Sequence, residues 1–132
     1  MKKRIFLLDT HALIFWNAKV FVSDKFIQFL DAQDQKGTLH VSSVSFWEIA
    51  LLVKKGRVEI SDMHAWKNEI LDYTHIRLID PSTSEMIDST LLTDHHKDPF
   101  DRLLIAQAKN RGMILVTKDR LIEQYRVPTF WL

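Results

Sequence analysis

From Lys97 to Asp119 the chain reads as a helix feeding directly into a buried strand, and this unit restricts the fold more than any other stretch. Asp98 stands where an N-cap belongs, Pro99 at the first helical position and Asp101 at the third, inside the first turn. Gly112 closes the helix. The apolar run after it is short, which predicts a buried parallel strand that stops at Thr117, with Asp119 following into a turn. One acid therefore stands at a helix N-terminus and another just past the carboxyl end of the next strand. Open α/β sheets bind their ligands at that edge.

The rest of the chain repeats the alternation. Ile5 to Leu8 is a continuous apolar run ending in Asp9, as a central strand would be, and Thr10 opens an apolar segment to Trp16. Ser23-Asp24 caps a helix to about Lys36, ended by Gly37, and Leu39 to Ser42 reads as a second strand. Ser45-Phe46-Trp47-Glu48 has the serine-x-x-glutamate pattern of a capping box, before an apolar helix reaching Lys55 and Gly56. Asp62 caps a further helix to about Asp72. Ile76 to Ile79 is a third strand, Ser82 to Leu92 a helix, and Leu121 to Tyr125 a short one. Val127 to Trp131 reads as an edge strand, since Pro128 would break a central ladder. Strands alternating with helices imply an α/β fold with a parallel sheet covered on both faces.

Composition narrows the chemistry. At 132 residues, with 46% hydrophobic residues and no linker or repeat, the whole chain (1–132) is expected to form a single globular domain. Cysteine is absent, which excludes disulfides, zinc ribbons and a thiol nucleophile and suits a reducing cytoplasm. Three isolated glycines (Gly37, Gly56, Gly112) cannot build a phosphate-cradling loop or a dinucleotide fingerprint. A net charge of +1 is no footprint of bulk nucleic-acid binding, so such contacts need a local patch or metal ions. The basic start Met1-Lys2-Lys3-Arg4 imitates a signal peptide. Asp9 and His11 interrupt it, no small-residue cleavage site follows, and no apolar run approaches the ~18 residues of a membrane span. A soluble, cytoplasmic protein is expected.

Four acids then stand out: Asp9 after the first strand, Glu48 early in the helix after the second, Asp101, and Asp119 after the fourth. Singly, each has a plain structural reading. Glu48 completes a capping box, Asp101 favours the positive helix end by ~0.3–1 kcal/mol, and Asp119 is a turn residue. Asp9 is harder to dismiss, because a carboxylate at the mouth of a buried strand loses solvation unless paired or metal-bound. If the first and fourth strands are neighbours, all four converge on one crevice. Four carboxylates at close range shift their pKa values or take up cations, and oxygen ligands without His or Cys suit Mg²⁺ or Mn²⁺. The natural chemistry is metal-assisted phosphodiester cleavage.

Leu7-Leu8-Asp9-Thr10-His11, the segment Ser45 to Leu51 around Glu48, Asp98-Pro99-Phe100-Asp101-Arg102, and Thr117-Lys118-Asp119 occur in this order over essentially the whole chain. In them the chain resembles the PIN-domain ribonucleases, and within these the toxin component of type II toxin–antitoxin pairs (the VapC-like group). The resemblance implies a central parallel five-stranded sheet, order 3-2-1-4-5, flanked by helices. It also implies an acidic site of Asp9, Glu48, Asp101 and Asp119 supported by Thr10 and Thr117. Asp98 and Asp101 are both available as the third acid. Asp101, nearer the first-turn amides, is favoured, with Asp98 as the cap, and either can reach metal through water. A metal-dependent endoribonuclease with an RNA substrate, a cognate antitoxin and a homodimeric state is the function so implied.

Other residues carry blander readings. His95-His96 suggests a metal pair, but adjacent histidines usually point apart and Thr93 to Lys97 reads as a solvated loop. His11 adjoins the expected site. Lys54, Lys55 and Arg57 with Lys97, Arg102, Lys118 and Arg120 can guide an RNA backbone. Phe15-Trp16 and Phe46-Trp47 are expected in the core, or in part on a dimer face. Two rival functions remain: a receiver-like signalling domain, using Asp9, Asp80 and Thr117 at strand ends, and a catalytically inactive PIN-fold binding module. The receiver reading lacks a second acid at Leu8 and a lysine in the last strand.

Overall fold

Five short parallel strands make the sheet: β1 (Phe6–Leu8), β2 (Leu39–Ser42), β3 (Arg77–Ile79), β4 (Ile114–Val116) and β5 (Thr129–Phe130). Their order in the computed structural model, which describes residues 3–132, is β3-β2-β1-β4-β5. Met1 and Lys2, half of the basic start, lie outside the described residues. β1 is central, pairing Phe6 with Leu39 on one side and Ile114 on the other. Its three side chains are fully buried, as a strand covered on both faces requires. Phe6 and Leu8 pack into one core with Ala12, Leu13, Trp16, Phe26 and Ile49, while Leu7 packs into the other with Leu104, Ile105 and Ala108.

Among the described residues, six α-helices cover those faces: α1 (Thr10–Ala18), α2 (Asp24–Gln35), α3 (Ser43–Lys54), α4 (Met63–Tyr73), α5 (Thr83–Leu91) and α6 (Pro99–Arg111). A 3-10 helix, Arg120–Tyr125, joins β4 to β5. Capping sets most of these ends as expected from sequence. The side chains of Ser23, Asp62 and Asp98 accept amide hydrogens at the starts of α2, α4 and α6. Gly112 ends α6 in the left-handed region (φ 66°), a backbone conformation that strains any residue carrying a Cβ. None of the helices among the described residues is long and apolar enough to cross a membrane.

Three expectations are corrected. The serine-x-x-glutamate run at Ser45 is not a capping box: α3 starts earlier, with Ser42 as its cap, and Glu48 falls in the helix's second turn. The capping box is at Ser82 and Glu85 instead. The last strand shrinks from Val127–Trp131 to Thr129–Phe130, because Pro128 has no amide hydrogen to give, although its carbonyl accepts the Leu115 amide. The sheet order also excludes the receiver-like reading, whose doubly wound sheet runs 2-1-3-4-5.

Candidate metal centre

Because β1 and β4 are parallel neighbours in register (Leu8 opposite Val116), the residues after them emerge at one edge of the sheet. Asp9 caps α1 there, its Oδ1 accepting the Ala12 amide at 2.7 Å, and the Thr117 side chain, just past β4, lies near enough to the same carboxyl to lower its pKa. Asp119 caps the 3-10 helix through the Leu121 amide (3.0 Å), and its own amide donates to Thr117 Oγ1 (3.1 Å). Asp98 caps α6 through Oδ1, which accepts from the Phe100 and Asp101 amides at 2.8 and 3.2 Å. Of Asp98 and Asp101, Asp101 is the one that lines a cavity with Asp9 and Asp119. Thr10 donates to Glu48 Oε1 at 2.5 Å and lies 3.2 Å from Ser45 Oγ, drawing α3 toward the end of β1.

Asp9, Asp101 and Asp119 line one cavity of about 410 Å³, with His11, Lys118 and Arg120 on its walls. Lys118 and Arg120 also line a second hollow of about 440 Å³, so cationic side chains stand beside the acids. Glu48 does not line the cavity but is close enough for its charge to act on Asp9 and Asp101. Burial raises the pKa of Asp9 above the usual carboxylate range; the Ala12 amide and Thr117 pull it down and Glu48 adds to the rise. Asp101 is pushed up to about 7, by burial first and by the charge of Asp98 second, with Asp9 and Glu48 adding and His96 opposing. Among the described residues, no Lys or Arg forms an ion pair with any of these four acids. A group of carboxylates short of positive charge, in a chain without thiols, fits a hard divalent cation.

One residue of the site escaped the sequence reading. His96 was assigned to a solvated loop, yet its Nε2 lies 2.8 Å from Asp119 Oδ2 and 3.0 Å from Asp101 Oδ2. The ring nitrogen of His96 and carboxylate oxygens of Asp101 and Asp119 all lie within 4.8 Å of one another, so a histidine stands against the acids where the sequence reading expects none. The two histidines do part company: His95 turns away, edge-on to the Tyr125 ring at 5.4 Å. Nothing in a His-His pair tells which ring faces inward. The distant signal is Arg102, expected to guide RNA but used otherwise. Its guanidinium donates to the carbonyls of Ser89, Leu92, Thr93 and His96, fixing the loop that delivers His96. Trp47 also departs from expectation: Phe46 is core, but Trp47 is 61% exposed and lies edge-on to Phe100 at 5.0 Å. Lys54, Lys55 and Arg57 sit at the far end of α3 and do not line the cavity.

Comparison with known proteins places this geometry. The model of the PIN domain family matches residues 6–128. Ribonuclease VapC22 of Mycobacterium tuberculosis is 30% identical over 130 residues, spanning 95% of this chain and 97% of its own length. Two solved structures share the fold at 17% identity. One is VapBC2 from Rickettsia felis bound to a DNA fragment from their promoter, with a TM-score of 0.72 over 97% of this chain and 99% of the matched chain. The other is FitAcB from Neisseria gonorrhoeae, with a TM-score of 0.62 over 96% of each chain.

Proposed function

Because this chain belongs to the PIN-domain family, we propose that it is a metal-dependent endoribonuclease acting as the toxin of a type II toxin–antitoxin pair. The observation that carries this reading is the convergence of Asp9, Asp101 and Asp119 on one cavity walled by Lys118 and Arg120. The ribonuclease name of the M. tuberculosis relative, which this chain matches over nearly its full length, supports the reaction. Asp9, Asp101 and Asp119 would hold Mg²⁺ or Mn²⁺, with Glu48 completing the acidic set. Such an ion, when bound, supplies an activated water and charge neutralisation at phosphate.

The chain's own residues divide the remaining work. Lys118 and Arg120 neutralise the RNA backbone beside the acids, a requirement for any anion approaching four carboxylates. Thr10 and Thr117 fix the rotamers of Glu48 and Asp9, and the Asp98 cap fixes the start of α6 and hence Asp101. A cognate antitoxin, as the second component of complexes such as VapBC2, would block the acids with an Arg or Lys side chain. The exposed apolar residues Met86, Ile87 and Leu91 on α5 offer a homodimer face, and the pair would act in the cytoplasm.

The test is cleavage of cellular RNA by purified protein, with EDTA and metal add-back. Asp9→Asn keeps the side chain's size while removing a charge, so its folded form should lose on the order of a hundredfold in rate, the scale of one lost electrostatic stabilisation. Full cleavage in EDTA, or by folded Asp9→Asn, overturns the reading in favour of an inactive PIN-fold module or contamination. Co-expression with the product of the neighbouring gene should restore growth and yield a complex.

A further inference from the structure

We propose that His96 is a positioning residue of the acidic site, whose ring, tied through Nε2 to Asp119 and set against Asp101, fixes the spacing of the two acids. The inference rests on the reading of these acids as a metal centre. Three features of the ring's surroundings carry it.

The tautomer comes first. The Asp98 amide donates to His96 Nδ1 at 3.1 Å, and an amide can only donate, so Nδ1 presents its lone pair. The ring proton then resides on Nε2, facing Asp119 Oδ2 at 2.8 Å with Asp101 Oδ2 3.0 Å away. An Nε2 that carries a proton donates it to Asp119, with Asp101 alongside at 3.0 Å, and cannot at the same time bind a metal.

Second, hydrogen bonds from two other elements hold the loop. The His96 amide donates to the Tyr125 hydroxyl, which in turn donates to Thr93 O at 2.8 Å, and Arg102 Nη1 donates to His96 O at 2.9 Å. The side chain is 12% exposed, in a segment whose composition reads as solvated. Such anchoring from α6 and from the 3-10 helix has little use unless the ring's position matters.

Third, His96 fills a gap in a pattern. Asp9 has the Ala12 amide and Thr117, Glu48 has Thr10, and Asp119 has the Leu121 amide to orient it. Among the described residues, the one side-chain partner of the Asp101 carboxylate within ion-pair distance is His96. Donors that orient metal-binding carboxylates are worth ~10–100-fold in metal affinity.

The experiment titrates the full-length protein with Mg²⁺ and Mn²⁺ by calorimetry and records histidine ¹⁵N NMR spectra in EDTA and in Mg²⁺. His96→Ala, folded by circular dichroism, should bind either ion ~10–100-fold more weakly. His96→Gln, which keeps an N–H donor, should recover part of that loss, and the exposed His64→Ala should match the parent protein. The parent's His96 should show protonated Nε2 and bare Nδ1 with and without Mg²⁺. Unchanged affinity in His96→Ala, a Nδ1–H tautomer, or loss of the Nε2 proton when Mg²⁺ binds overturns the proposal, the last making His96 a direct ligand. If the parent binds neither ion, the metal reading itself fails, and the EDTA spectrum alone then decides whether His96 holds the two acids.

Discussion

Glu85 and Asp101 occupy the same local position, the third residue of a capped helix, yet their surroundings treat them in opposite ways. Glu85 closes a capping box with Ser82 and receives the Arg111 guanidinium on both oxygens, each at 2.9 Å, with Asn110 adding a third donor at 3.0 Å. Arg111 foremost, against the opposing effect of burial, holds its pKa down to about 2. Asp101 is one methylene shorter and cannot reach back to its cap, whose amide goes to His96 instead. Its neighbours are Asp98, Asp9 and Glu48, and it is pushed up to about 7. Where the fold needs an acid for stability it supplies the cation. Around Asp101 it assembles more acids, which is an arrangement for holding something that arrives from outside.

The sharpest way to break this comparison is to neutralise each acid in turn. Asp101→Asn should cut RNA cleavage by ~10²–10³, as loss of one preorganised electrostatic group does in other enzymes, while thermal stability holds or rises because a crowded charge is gone. Glu85→Ala should do the reverse. It leaves Arg111 without its carboxylate partner and should cost about 3 kcal/mol in urea unfolding, toward the low end for a broken buried pair since Arg111 is 29% exposed. Cleavage per folded molecule should stay at the parent level. If Glu85→Ala lowers the rate as much as Asp101→Asn does, the division between structural and site acids is wrong.

A subtler difference lies in pH. The pKa of Glu85 is lower in the folded chain than unfolded, so its stabilisation is present above about pH 4.5 and is lost as pH falls toward 2. The pKa of Asp101 is higher when folded, so between about pH 4 and 7 the folded state binds more protons and stability falls as pH rises. Thermal melts in EDTA should therefore peak at mildly acidic pH, and Mg²⁺ should raise the melting temperature more at pH 8 than at pH 5. Equal Mg²⁺ shifts at both pH values would contradict the placement of a metal on Asp101. The smallest effect is expected at His95, which turns away from the acids: His95→Ala should change stability by less than about 0.5 kcal/mol and cleavage hardly at all. A large loss of cleavage there would mean that the loop, rather than His96 alone, forms part of the site.

Much of this was legible in the chain because its physical cause is local. Asp98, Pro99 and Gly112 act within one turn of the helix they bound, and α6 runs as their spacing requires. The apolar run of β1 and the acid that ends it needed no partner to be recognised. The sheet order, by contrast, came with the family resemblance of four motifs taken together, since no periodicity states which strands are neighbours. Glu48 marks the limit of local reading. Its capping-box pattern was sound as chemistry, but β2 runs straight into α3 at Ser42, and the box formed where Arg111 could join it, at Glu85.

By itself, then, the sequence determined the helix–strand alternation, the acids at the strand ends, and the family whose motifs they form. The first two follow from capping, burial and spacing, which act over a few residues, and the family from resemblance. Only the tertiary structure decided which histidine faces the acids, that Arg102 clamps a loop rather than waits for RNA, and that one N3 acid is paired while its counterpart is crowded. In each case the deciding partner lies several to many residues away: Arg102 and Tyr125 for His96, Arg111 for Glu85, Asp9 and Glu48 for Asp101. A side chain's charge environment is set by what the fold brings within a few ångströms, and a residue's neighbours in the chain carry no record of it.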